Sequence, residues 1–79
     1  MDPVESKAAK FKRLAEARTE TIIDEIRKLS NLSDTNTYTY TEQQLAKIFG
    51  TLTDRLETAR MRFLATLKFR HGAEQKFEL

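Results

Sequence analysis

The chain contains no cysteine and no tryptophan, and has one histidine, one proline and two glycines among 79 residues. Each shortage closes a route. Without cysteine there are no disulfides and no thiolate metal ligands. One imidazole, His71, excludes a His-pair metal site within one chain. A Ser-His-Asp triad would need His71 beside Ser6, Ser30 or Ser33, and no nucleophile-elbow sequence surrounds any of them. Two glycines cannot build a Walker loop or a dinucleotide fingerprint. No apolar run approaches the ~20 residues of a membrane span. The first twenty residues have no apolar stretch of the secretory kind, being broken by Glu5, Lys7, Lys10, Lys12, Arg13 and Glu16. These shortages lead to an expectation of a cytoplasmic, non-enzymatic protein with no catalytic residues, metal, cofactor or small-molecule substrate, and no membrane association.

What is present is helix-forming. A chain of this length makes one domain, and its compact core would be marginal, because so short a chain buries only ~60% of its unfolded surface. Apolar residues recur at Val4, Ala8, Phe11, Ala15, Ile22, Ile26 and Leu29, in steps of 4, 3, 4, 7, 4 and 3. That spacing predicts an amphipathic helix over about 3–29, ~40 Å long. Asp2-Pro3-Val4-Glu5 supplies a cap, a first-turn proline and a carboxylate in capping-box position. Residues 30–41 read as a loop, since Ser, Asn and Asp compete with the helical backbone for hydrogen bonds. Alternating Thr and Tyr from Thr37 to Thr41 favours extended backbone there. Thr41-Glu42-Gln43-Gln44 is a second capping box, with Tyr40 placed to staple onto Leu45. The stripe Leu45, Phe49, Leu52, Leu56, Ala59 and Phe63 then continues in steps of 4, 3, 4, 3 and 4. It predicts a helix over about 42–69 that keeps phase through Gly50, with His71-Gly72 as its stop and a tail over 70–79.

Two such helices joined by a ~10-residue loop imply an all-α antiparallel hairpin. Their apolar residues exceed what one narrow seam can bury. The surplus predicts a homodimer, two hairpins forming a four-helix bundle, with Phe11, Ile22, Ile26, Phe49, Leu52, Leu56 and Phe63 in its interface. Tyr38 and Tyr40 are expected to close the bundle over Leu29 and Leu45.

Charge is sorted along the chain. Residues 1–18 carry five Lys/Arg and three Asp/Glu, residues 19–54 three and six, and residues 55–79 six and three. In a hairpin both basic segments share one end. Nucleic acid is then a possible partner through Lys10, Arg13, Arg60, Arg62, Lys68 and Arg70. A related alternative is a DNA-binding transcriptional regulator with a helix-turn-helix at 42–61, Gly50 lying in the turn. Thr51 and Leu52 depart from that pattern. A ribbon-helix-helix with Thr37–Thr41 as ribbon fits less well. Glu16, Glu20 and Asp24 follow at i, i+4 spacing and read as a solvated face paired with nearby Lys and Arg.

The strings Phe11-Lys-Arg-Leu-Ala-Glu-Ala-Arg18, Ile26-Arg-Lys-Leu-Ser-Asn-Leu-Ser33, Tyr38-Thr-Tyr-Thr-Glu42 and Lys47-Ile-Phe49 together resemble small uncharacterised bacterial and mobile-element helical-hairpin proteins over residues 11–67. The resemblance implies a helical hairpin and hints at a phage or plasmid origin. It brings no catalytic residue with it. The function expected from all of this is a small accessory or regulatory factor that self-associates and binds a macromolecular partner, most simply a protein.

Overall fold

A computed structural model describes residues 4–75 of the chain, with side chains over 4–68. It contains two α-helices, α1 (Lys7–Ser30) and α2 (Glu42–Gln75), and a single 3₁₀ turn at Asn31–Ser33. No strand is present among the described residues. The chain divides into two units, Met1–Thr39 and Tyr40–Leu79, each built on one helix.

The start of α1 differs from the expected position. Ser6, not Asp2, is the N-cap: its backbone is extended and its hydroxyl accepts a 3.0 Å hydrogen bond from the Ala9 backbone N–H. Val4 therefore precedes the helix and is almost fully exposed. Glu5 is not part of a capping box. Its two carboxylate oxygens accept hydrogen bonds of 2.9 and 3.0 Å from the Arg13 guanidinium, eight residues on. A bidentate pair of this kind outcompetes a single bond to a backbone N–H. Asp2 and Pro3 lie outside the described residues.

At the other end α1 reaches Ser30, with Arg27 and Lys28 in its last turn, where cations suit the helix dipole. The 3₁₀ turn tightens the exit. Asp34 then organises the loop: its Oδ1 accepts from the Asn36 N–H at 3.0 Å and its Oδ2 from the Thr37 hydroxyl at 3.2 Å. Its carbonyl accepts from the Tyr38 N–H at 2.9 Å. Thr37 is thus in a turn rather than in extended backbone, and residues 38–41 have no regular structure.

The second capping box forms as expected. The Thr41 N–H donates to Gln44 Oε1 at 2.9 Å, and the Gln44 N–H donates to Thr41 Oγ1 at 3.1 Å. From Glu42, α2 runs unbroken to Gln75. It passes through His71 and Gly72, the expected stop, and six residues beyond position 69. Glycine at a helix end permits a left-handed residue but does not impose one, and the backbone at 72 stays helical.

Gly50 also lies within continuous helix, and no described glycine has positive φ. A helix-turn-helix at 42–61 needs a turn there, so that expectation is corrected: 42–61 is one continuous stretch of α2. The ribbon-helix-helix idea meets the same obstacle. A Cβ added at Gly50 meets nothing within 4 Å, and position 50 lies far around the helix from the stripe. Gly50→Ala is therefore expected to stabilise α2 by about 0.5–1 kcal/mol, through the backbone freedom that alanine removes. Circular dichroism should show higher helicity and a higher midpoint of thermal unfolding; a lower midpoint would mean that the glycine is needed for a bend or a close contact.

Candidate interaction surface

Two features of the helices can do physical work, an apolar stripe and a set of unpaired cations. On α1 the stripe includes Phe11, Ile22 and Ile26, all more than half exposed. On α2 it includes Phe49 and Leu52, about half exposed, and Leu56 and Phe63, at 69% and 65%. None of the described residues is buried. Large hydrophobic positions of α2 are thus left substantially open to water, against what water favours. Tyr38 and Tyr40 are 45% and 38% exposed, while Leu29 and Leu45 are half-buried.

The basic candidates divide into two groups. Arg13 is held by Glu5, as above. Arg60 donates two hydrogen bonds to Glu57, of 2.6 and 3.0 Å. Each of these cations is engaged by a neighbouring carboxylate. Lys10, Arg62 and Lys68 make no ion pair among the described residues, nor does Arg55, one that the sequence reading left out of the candidates. The Arg70 side chain lies outside the described residues. At 3.6 residues per turn, positions 60 and 62 are about 200° apart around the helix. Arg60 therefore borders one edge of the α2 stripe, and Arg55 and Arg62 border the other. Arg55, Arg60 and Arg62 thus frame an apolar surface rather than forming one basic face. Spacing relative to the stripe, not charge density alone, is the signal that would have found Arg55.

The carboxylate ladder of α1 does not converge. Glu16 lies 3.9 Å from Lys12. Asp24 pairs with Arg27 at 2.7 Å and Lys28 at 3.5 Å, and Lys28 also reaches Glu25 at 3.3 Å. No group of three or more metal-ligating residues comes together among the described residues. An open depression along α1, lined by Lys12, Arg13, Glu16 and Glu20 among others, is made by one helix and encloses nothing. No helix among the described residues is long and apolar enough to cross a membrane. Comparison with protein-family models, with curated proteins and with solved structures finds no match.

The Glu57–Arg60 pair has a measurable consequence. Hydrogen bonding from Arg60 holds the Glu57 carboxyl below its ordinary value, with Coulombic attraction adding to it. The same bond raises Arg60 further. The folded state thus binds the Glu57 proton more weakly than the unfolded chain does. The pair's contribution is present above the ordinary glutamate value and is lost as pH falls through the lowered one. An NMR titration of Glu57 should give a midpoint below that of an unstructured glutamate, and Arg60→Ala should raise it; an unmoved midpoint would show that the pair does not persist in solution.

Proposed function

We propose that this chain is a small, cytoplasmic, non-enzymatic binding protein. In this reading its two helices fold back as an antiparallel hairpin and associate as a homodimer, a four-helix bundle that serves as an accessory or regulatory factor for a protein partner. The observation that carries the reading is the exposure of both stripes, from Phe11 to Ile26 on α1 and from Phe49 to Phe63 on α2. Covering a leucine or phenylalanine side chain stabilises by about 1.5–3 kcal/mol relative to leaving it in water. Helices held mainly by their own backbone bonds are marginal, and most helical stability comes from packing an amphipathic face. The heptad-like steps of the α2 stripe suit a bundle seam. The polar backs of both helices remain free to meet a further partner.

Sedimentation equilibrium tests this directly. The wild type should sediment as a dimer whose helicity rises with concentration. Phe49→Asp, which sets a charge in the middle of the α2 stripe, should give a monomer with reduced helicity. Equal mass and helicity for the two would overturn the reading.

Nucleic acid is a second reading, favoured by Lys10, Arg62 and Lys68, whose charge no described carboxylate offsets. Phosphate contacts of this type weaken steeply with salt. Retention of duplex DNA at low salt should fall when Arg62→Glu and Lys68→Glu are combined, with helicity unchanged; equal retention by wild type and variant would remove the reading.

A further inference from the structure

The apolar stripes specify that something docks, but not which way round it lies. The charges carry that information. In α1 the cations Lys7, Lys10, Lys12 and Arg13 occupy the first seven residues, before any acid. In α2, Arg55, Arg60, Arg62 and Lys68 follow the last acid of the first half, Asp54. Between these basic segments lie Glu20, Asp24, Glu25, Asp34 and Glu42. Local ion pairs leave the sorting in place. Lys7, Lys10, Arg55, Arg62 and Lys68 make no ion pair among the described residues on the basic side, and neither do Glu20 and Glu42 on the acidic side.

We propose that the occupant of the stripes is a second copy of this chain laid head to tail. Its acidic segment, residues 20–42, lies against the basic half of α2 that Arg55, Arg60 and Arg62 frame. The proposal rests on the hairpin dimer above and adds its orientation. Two copies laid the same way round satisfy the stripes equally well. They also bring the positive segments 1–18 and 55–79 of one copy against those of the other, within the ~8 Å over which charges act at physiological salt. The reversed copy replaces each of these like-charge contacts with an opposite one. Complementary charge sets register and orientation more than it sets affinity, which is the role left open here. Self-pairing of α2 in the same direction is disfavoured for the same reason, since it sets Arg55 and Arg62 against Arg60.

The absence of native cysteine makes single spin labels unambiguous. Ala65→Cys and Gln43→Cys lie on the polar back of α2, each about eleven residues from position 54. At 1.5 Å per residue that is about 17 Å along the axis, in opposite directions. In a head-to-tail dimer, two Ala65→Cys labels should lie about 35 Å apart or more. A mixture of Ala65→Cys and Gln43→Cys chains should give an intermolecular distance below about 25 Å. Raising the salt to 1 M should loosen the dimer several-fold. A short distance between two Ala65→Cys labels, or a dimer that tightens with salt, overturns the orientation and leaves the dimer standing. A wild-type chain that sediments as a monomer, with no intermolecular distance, removes the dimer itself and the orientation with it.

Discussion

Exposure of a continuous apolar stripe to water is the constraint on which this molecule depends. The backbone of each helix satisfies its own hydrogen bonds, and a hydroxyl caps the N-terminus of each. Neither device removes Phe11, Ile22, Ile26, Phe49, Leu56 or Phe63 from solvent. Covering those side chains would stabilise the chain. They also have the spacing of a seam, because steps of three and four keep them within one sector of each helix. With no buried residue among those described, whatever covers the stripes would also stabilise the helices that carry them.

Short-range polar chemistry then fixes where the helices begin and end. Ser6 and Thr41 are each small hydroxyl residues that accept a hydrogen bond from the backbone three residues on. Asp34 plays the corresponding part in the loop, gathering the Asn36 and Tyr38 N–H groups and the Thr37 hydroxyl around one residue. These contacts are individually worth about 1 kcal/mol. They place the stripes in phase, so that α2 starts at Glu42 and its seam runs from Leu45.

Much of this is legible in sequence, and the misses are instructive. The second capping box is readable because Thr41 and Gln44 directly precede the apolar run that starts at Leu45. Continuity through Gly50 was readable because the apolar steps keep phase on both sides; a turn would have reset them. The start of α1 was misread because Asp2 and Ser6 both qualify as caps. The Ser6 hydroxyl takes the cap, while Glu5 pairs with Arg13, and pairing across eight residues leaves no mark in a local pattern. The stop at Gly72 was misread because glycine is permissive rather than prescriptive. On the surface, counting charges makes Arg13 and Arg60 candidates for phosphate contact. Bidentate pairing with Glu5 and Glu57 is set by rotamers, which sequence spacing allows but does not dictate.

The same pairing makes the two edges of the α2 stripe unequal. Arg55 and Arg62 border one edge with their charge intact, and Arg60 borders the other with its charge engaged by Glu57. A surface partner that brings a carboxylate to the first edge gains a new ion pair. One that brings a carboxylate to the second must share Arg60 with an anion already in place. The apolar stripe is close to symmetric about its own axis and would accept a partner leaning either way. The charges are not symmetric, and under the proposed dimerisation they would discriminate among partners that the hydrophobic effect treats alike. In the proposed dimer, affinity and specificity would thus rest on different residues of one helix: Phe49, Leu52, Leu56 and Phe63 on the first count, and Arg55, Glu57, Arg60 and Arg62 on the second.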